Sequence, residues 1–229
     1  MSDPTLLVVA KSPVAGQAKT RLTALLSPEE AADLAAAALL DTLAAVAATP
    51  APCRVVAFTG DLMHAQRCRE LAEALKNFVV VPQRGTDFAD RLVAAHCDAT
   101  VAAGGAGGVL QVGMDTPQVT PALLSDAAAK LATVDAVLGP ALDGGWWCLG
   151  VRHPELAQAL AGVAMSRADT GAQTLAALRR TGAGVQLLVE LQDVDTPNDI
   201  MAVARAAPDT HFAAAVATLA ALAALAVSR

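Results

Sequence analysis

The chain has 229 residues, 55% of them hydrophobic and 17% charged, which suits one large folded domain and excludes a disordered chain. The formal net charge of -6, the lack of a long basic run and the 3% aromatic content argue against a nucleic-acid-binding surface. The four cysteines show no CxxC spacing and the N-terminal apolar run is too short for a signal sequence, so we expect reduced thiols in a cytoplasmic protein.

Short β-rich runs alternate along the chain with longer helical patterns. The predicted strands cover residues 5–10, 53–58, 77–82, 108–114, 134–139, 146–151 and 184–191. The predicted helices cover residues 28–48, 61–76, 87–103, 121–132, 154–161, 169–181 and 197–207. The strands are apolar almost throughout, as burial on both faces of a parallel sheet requires. The sequence therefore predicts an α/β fold: a three-layer α/β/α sandwich with a mostly parallel, Rossmann-like sheet.

The longest apolar run, residues 212–227, lies near the end of the chain. It is shorter than the roughly 20 residues that a membrane span needs and consists mostly of alanine, so we expect a packed helix and no membrane span. We predict a single domain over residues 1–229, in which residues 208–229 form an added C-terminal helix. This helix is expected to pack on the outer face of the sheet, and both a monomer and a homodimer are compatible with it.

The first strand is followed by KSPVAGQAKTRL, residues 11–22, which carries three cations in an otherwise acidic chain. Gly16 helps to turn this segment, and Lys11, Lys19 and Arg21 can converge on one anionic group, with backbone N–H groups as further donors. The spacing matches neither a P-loop nor the GxGxxG dinucleotide fingerprint. The segment indicates a phosphate-binding loop, and solvated surface charges are the alternative.

Acidic residues follow two later strands. Asp115, in GMDTPQ, comes directly after the fourth strand, where an ionised carboxylate beside apolar surroundings needs a cation or hydrogen-bond donors. Asp193 and Asp195, in DVDTPND, alternate sides if the segment is extended, so we expect only one of them to face the same ion as Asp115. Two separated carboxylates, together with phosphate oxygens and waters, are a usual set of Mg²⁺ ligands. A helix cap is the alternative for Asp115.

A third acidic residue, Asp143, lies in GPALDGGWW. Gly144 and Gly145 permit positive φ angles and the close approach of a ligand at this point. A hairpin turn is the plain alternative, because DG is a common turn pair, and the two interpretations are compatible.

Five motifs occur in order between residues 5 and 205: KSPVAGQAKTRL, RGTDFADRL, GMDTPQVTPALL, DAVLGPALDGGWWCLGV and DVDTPND. Together they resemble the nucleotide-diphospho-sugar transferase superfamily, which has the glycosyltransferase A fold. The resemblance is strongest to its bacterial glycosyltransferase-like branch, which is related to the molybdenum-cofactor and phospholactate guanylyltransferases. The chain departs from these relatives after the two glycines, where Trp146 and Trp147 stand in place of the usual Tyr.

The resemblance implies a nucleotide site at the carboxyl ends of the strands. Its metal ion, Mg²⁺ or Mn²⁺, would be bound by Asp115 and Asp195, and Asp193 is the alternative second ligand. The phosphates of the nucleotide would be contacted by the first loop, through Lys11, Gly16, Lys19 and Arg21.

The acceptor or sugar side would be shaped by Gly144, Gly145 and Trp147, although Trp147 is also compatible with a core aromatic. The implied enzyme transfers a nucleotidyl or glycosyl group from a nucleoside triphosphate or a nucleotide-sugar to a small-molecule acceptor. In nucleotidyl transfer, Lys19 and the neighbouring cations would neutralise the leaving pyrophosphate. In glycosyl transfer, Asp143 would serve as general base. A non-catalytic nucleotide-binding protein that kept the fold is the alternative, and the missing glycine fingerprint disfavours a dehydrogenase.

Overall fold

One central sheet organises the computed structural model, which describes residues 3–105 and 107–227. Its strands are β1 (Thr5–Lys11), β2 (Arg54–Thr59), β3 (Val79–Pro82), β4 (Val109–Val112), β5 (Ala136–Pro140), β6 (Trp146–Val151) and β7 (Val185–Leu187). They lie in the order β3-β2-β1-β4-β6-β5-β7. Strand β6 runs antiparallel to β4 and β5, and the other neighbouring strands pair in parallel. The predicted mostly parallel sheet is confirmed.

Helices cover both faces of this sheet. The α-helices of the described residues are α1 (Pro28–Ala48), α2 (Cys68–Leu75), α3 (Phe88–Ala102), α4 (Pro121–Leu131), α5 (Thr170–Arg180), α6 (Pro197–Ala206) and α7 (His211–Val227), of which α1 to α5 pack on the sheet. The apolar cluster on one face contains residues of α1, α2 and α4. The cluster on the other face contains residues of α3 and α5. The three-layer α/β/α sandwich predicted from the alternating elements is therefore confirmed.

Strand β1 shows why the strand sequences are apolar without a break. Leu6, Val8 and Ala10 belong to the cluster on the α1 face, whereas Leu7 and Val9 belong to the cluster on the α3 face. Successive side chains of a strand point to opposite faces, so a strand covered on both sides needs apolar residues at every position.

Capping residues begin several of the helices. At the start of α1, the Ser27 hydroxyl accepts a hydrogen bond from Glu30 N at 3.2 Å, and the Glu30 carboxylate accepts one from Ser27 N at 2.7 Å. At the start of α4, the Thr120 hydroxyl accepts from Leu123 N at 3.2 Å. These bonds satisfy N–H groups that the first helical turn leaves without partners.

Two predicted helices differ from the structure. The predicted helix 61–76 is divided into a short 3₁₀ helix, Leu62–His64, and α2, and the break coincides with a left-handed conformation of Arg67, at φ 51°. The predicted helix 154–161 is a 3₁₀ helix, Pro154–Leu160.

Helix α7 packs against α1 and α6, and not on the outer face of the sheet where the sequence analysis placed it. It begins at His211, and residues 228 and 229 of the expected C-terminal helix lie outside the described residues. The reason lies in the sheet itself, whose two faces are already covered by the helices named above.

Helix α1 is long and apolar enough to cross a membrane by length and composition. However, 78% of its most apolar 18-residue window is buried inside the protein. A helix that is apolar on most sides and buried in this way is typical of the core of a large folded domain.

Candidate active site

The loop after β1 and the acidic motifs meet at the carboxyl edge of the sheet. We call residues 11–25 the cation loop and residues 192–196 the acidic segment. Strand β1 is the neighbour of β4, and Lys11 N lies 3.1 Å from Met114 Sδ, so the cation loop touches the loop that carries Asp115. Val194 N donates to Asp115 O at 3.1 Å, which brings the acidic segment to the same place.

Lys19 and Asp115 form the inner ion pair of this site. The Lys19 Nζ donates to Asp115 Oδ2 at 2.7 Å, and the lysine side chain is only 12% exposed. Burial lowers the pKa of Lys19, but the charge and hydrogen bond of Asp115 and the charges of Asp195 and Asp193 together outweigh it and raise the pKa above its ordinary value. The ammonium group therefore stays charged although it is largely buried.

The backbone of Lys19 is also unusual, because its φ of 48° and ψ of 42° are left-handed. This conformation costs a non-glycine residue about 1 kcal/mol. It places Lys19 at the N-cap of a short 3₁₀ helix, Thr20–Ala24. Such strain is found preferentially where the surrounding structure requires a particular side-chain position.

Arg21 and Asp195 form a second, outer ion pair. The Arg21 side chain is 64% exposed, so this pair lies at the rim of the site. Each of these two cations is thus paired with a carboxylate from the predicted metal-binding motifs.

Asp193, the other carboxylate of the acidic segment, is half-buried beside the loop that carries Asp115. Burial, together with the negative charges of Asp115 and Asp143, raises the pKa of Asp193 to about 8, against the effects of the Thr116 hydroxyl and Lys19. A buried carboxyl group next to two like charges gains most from a cation. This environment favours Asp193 over Asp195 as the partner of Asp115.

Two side-chain hydrogen bonds hold the acidic segment against the loop after β4. The Thr116 hydroxyl donates to Asp193 Oδ1 at 2.9 Å, and Gln118 Nε2 donates to Gln192 O at 2.9 Å. Thr116 and Gln118 are not predicted from the sequence as site residues, although both stand in the GMDTPQ motif. Their signal is the occurrence of polar side chains beside Asp115 in a segment that leaves a buried strand.

The donor set at this edge fits a divalent ion that is shared with a phosphate. Within residues 3–105 and 107–227, no three His, Cys, Asp or Glu side chains are grouped so that they could hold a metal ion together. Asp115 and Asp193 supply two carboxylates, and Mg²⁺ is commonly bound by one or two carboxylates with phosphate oxygens and waters as its other ligands.

Lys11 and Gly16 do not take part in the ion pairs. The Lys11 Nζ donates to Gln17 O at 3.0 Å, within its own loop. Gly16 has a φ of 73° and open space where a side chain would be, so its role is to turn the chain. The structure therefore brings Lys19 and Arg21 to the carboxylates, whereas the Lys11 side chain bonds to the loop.

The turn at Asp143 is supported by the segment before α5. Asp143 Oδ1 accepts from Gly145 N at 2.8 Å, and Gly171 N donates to Gly144 O at 2.8 Å. Gly144 has a φ of 86°, and a Cβ atom there would lie 1.9 Å from Ala168 O. A close approach at Gly144 is therefore made by the protein's own backbone, and the role of this glycine on the acceptor side stays a prediction.

The structure also corrects the assignment of Trp147 to a substrate-binding surface. Its side chain is 1% exposed, and its Nε1 donates to Val189 O at 2.9 Å. The ring lies against Gly139, where an added Cβ atom would be 2.5 Å away. Trp147 is a core aromatic whose polar atom is satisfied inside the protein.

This sheet order, with cations and carboxylates at the carboxyl edge, defines the chain as a protein of the nucleotide-diphospho-sugar transferase superfamily, and hence as an enzyme of nucleotidyl or glycosyl transfer. Residues 42–167 match the family described as "uncharacterized protein conserved in bacteria (DUF2064)", and the chain belongs to this family. A search of curated proteins gives no match.

Solved structures share the fold. A protein from Desulfovibrio desulfuricans G20, described as a nucleotide-diphospho-sugar transferase, is 29% identical, with a TM-score of 0.73 over 86% of this chain and 84% of that chain. Rv0371c from Mycobacterium tuberculosis H37Rv, in complex with manganese, is 20% identical, with a TM-score of 0.52 over 88% of this chain and 97% of that chain.

CMP:2-keto-3-deoxy-manno-octonic acid synthetase, complexed with CTP, is 12% identical to this chain. Its TM-score is 0.52 over 88% of this chain and 97% of that chain. At these identities, the likeness to the synthetase and to Rv0371c shows the fold alone.

Proposed function

We propose that the protein is a divalent-metal-dependent transferase, that its donor is a nucleoside triphosphate and not a nucleotide-diphospho-sugar, and that its reaction is nucleotidyl transfer. One observation carries the proposal: Lys19 and Arg21 of the cation loop meet Asp115 and Asp195 at the carboxyl edge of the sheet. Fixed cations and a metal-binding carboxylate can there act on the same polyphosphate, which carries more charge in a triphosphate than in a diphospho-sugar.

Asp115 and Asp193 would hold Mg²⁺ or Mn²⁺, which when bound neutralises phosphate oxygens on which negative charge grows. Thr116 holds Asp193 by its Oδ1 atom and so fixes the orientation of the carboxylate. The manganese complex of Rv0371c supports the choice of a divalent ion on a similar fold.

Lys19 and Arg21 would exchange their carboxylate partners for oxygens of the β and γ phosphates. Charge-assisted hydrogen bonds to phosphate are short and strong, and both cations are already ordered near the place where the phosphates would lie. They then stabilise the charge that develops on pyrophosphate as the bond from the α phosphorus to the bridging oxygen breaks. Because Lys19 releases Asp115, a proposed metal ligand, when it turns to phosphate, metal and nucleotide binding favour each other.

Asp143 stands on the acceptor side of the site. It is an exposed carboxylate whose orientation is fixed by Gly145 N. In the proposed reaction an oxygen of the acceptor forms the new bond to the α phosphorus, and Asp143 would take the proton where that acceptor is a hydroxyl group.

The proposal is tested by a thermal-shift screen of nucleoside triphosphates and nucleotide-diphospho-sugars, each with and without Mg²⁺ or Mn²⁺. A ligand at 100 times its Kd stabilises the folded protein by about 2.7 kcal/mol, which raises Tm by several degrees. We expect a metal-dependent rise with a triphosphate. A rise confined to diphospho-sugars would assign glycosyl transfer instead, and no rise with either class would contradict the proposal.

A further inference from the structure

The two loops that carry the ion pairs share one apolar anchor. Leu22 of the cation loop follows Arg21 directly and is 0% exposed. Val194 of the acidic segment stands between Asp193 and Asp195 and is 2% exposed. Both side chains belong to a third apolar cluster, separate from the two that line the sheet.

Helix α7 contributes the largest side chain of this third cluster. Phe212 is 0% exposed and is its one aromatic member among the described residues. Four of the other buried members are Ala31, Ala37, Ala38 and Ala215. Because protein interiors are close-packed, the phenyl ring is the large group that fills the space left by these small side chains in the cluster.

The position of Phe212 is fixed through its backbone. The buried carboxylate of Asp41, on α1, accepts hydrogen bonds from His211 N at 2.8 Å and from Phe212 N at 2.9 Å. These bonds satisfy the first N–H groups of α7 and tie its start to α1. The ring of Phe212 is therefore held at a defined place relative to α1, which itself packs against the 3₁₀ helix of the cation loop.

We propose that Phe212 is a positioning residue of the site, which sets the cation loop and the acidic segment relative to each other so that Lys19 and Arg21 face their carboxylates. The family match covers residues 42–167, so both loops and α7 lie outside it. The effect on nucleotide binding rests on the proposed function, whereas the effect on the two loops is a property of the protein alone.

The proposal is tested with Phe212→Ala and Phe212→Leu, and with Leu178→Ala as the control. Leu178, on α5, is equally buried but lies in the cluster on the other face of the sheet. The reporters are the amides of Leu22, bonded to Lys19 O at 2.9 Å, and of Val194, bonded to Asp115 O at 3.1 Å. Their hydrogen exchange is measured in the folded variants, together with the Kd of Mn²⁺–nucleotide by calorimetry.

In Phe212→Ala we expect both amides to exchange about tenfold faster and the Kd to rise about tenfold, with a smaller change in Phe212→Leu. In Leu178→Ala, which also leaves a core cavity, both quantities should stay within about twofold of the wild type. Unchanged exchange at Leu22 and Val194 in a folded Phe212 variant, or equal effects in Leu178→Ala, would overturn the proposal. Absence of nucleotide binding by the wild type would refute the proposed function, and the exchange data would still decide the role of Phe212.

Discussion

Lys19 is the residue at which the proposed phosphate-binding and metal-binding halves of the site meet. Its ammonium group lies 2.7 Å from Asp115 Oδ2, so it occupies the carboxylate that a metal ion would need. Any cation that binds Asp115 therefore competes with Lys19, and any anion that attracts Lys19 removes that competition.

Replacement of Lys19 by Met should change two affinities in opposite directions. Without the ammonium group, nucleotide binding in the presence of metal should weaken at least about tenfold, because a charged hydrogen-bond donor to phosphate is lost. Binding of Mn²⁺ without nucleotide should strengthen about fivefold, because Asp115 is no longer neutralised. Calorimetric titration of each ligand measures both effects.

Lys130→Met provides the matched control for Lys19→Met. Lys130 forms a 2.6 Å ion pair with Asp126 on the surface of α4, and neither residue belongs to the ion pairs of the site. This variant should bind both ligands as the wild type does. A Lys19→Met protein that binds Mn²⁺ alone no better than the wild type would contradict the competition between Lys19 and the metal.

The sequence predicts those site residues whose position follows directly from the end of a strand. Lys19, Arg21 and Asp115 follow β1 and β4, and adjacent parallel strands bring their loops together whatever the detailed side-chain packing. The environment of Asp193 and the burial of Trp147 depend on which way a side chain points at the end of a strand. Neither periodicity nor motif spacing determines that direction.

At the scale of elements, a buried polar pair connects α3 and β4. The His96 Nε2 lies 2.9 Å from Gln111 Oε1, and both side chains are buried in an otherwise apolar layer. Burial lowers the pKa of His96 to about 4, although the bond to Gln111 acts in the other direction. The imidazole is therefore neutral in the folded protein at pH 7.

This pair should make the stability of the fold depend on pH. Below its ordinary pKa of 6.5, His96 takes up a proton in the unfolded chain, but in the folded chain it does so only near pH 4. The contribution of His96 to the free energy of unfolding should thus be fully present above about pH 6.5. It should decrease by about 3 kcal/mol as the pH falls towards 4. Urea unfolding at pH 7, 6 and 5 measures the decrease.

His96→Gln separates this effect from the protonation of carboxylates. Gln retains a polar partner for Gln111 but does not titrate, so the variant should lose less stability between pH 7 and pH 5 than the wild type. Equal losses in the two proteins would show that His96 does not titrate as proposed.

The predicted elements follow the structure closely where a strand or helix is long and its pattern unbroken. Helix α1 has both its bounds as predicted, and Ser27 caps its start, because capping and helix propensity are local properties. The packing of α7 on α1 and α6 could not be predicted, because it depends on which faces the other helices leave uncovered. The antiparallel direction of β6 likewise follows from the short turn at Asp143 and not from the composition of the strand.

The whole molecule brings together segments that are distant in sequence. The cation loop, Asp115 and the acidic segment span more than half of the chain, and two elements support their meeting: the sheet, and the apolar cluster around Phe212. The central claim is that Asp115 binds the divalent ion that accompanies a nucleotide, opposite Lys19 and Arg21.

The most direct test compares the metal-dependent part of the nucleotide-induced rise in Tm between the wild type and Asp115→Asn. Asp126→Asn, at an exposed position on α4, is the control. We expect Asp115→Asn to abolish the metal-dependent part of the rise in Tm, because an amide is a weaker metal ligand than a carboxylate. Asp126→Asn should keep this part of the rise. An undiminished metal-dependent rise in Tm in Asp115→Asn would show that Asp115 does not bind the divalent ion.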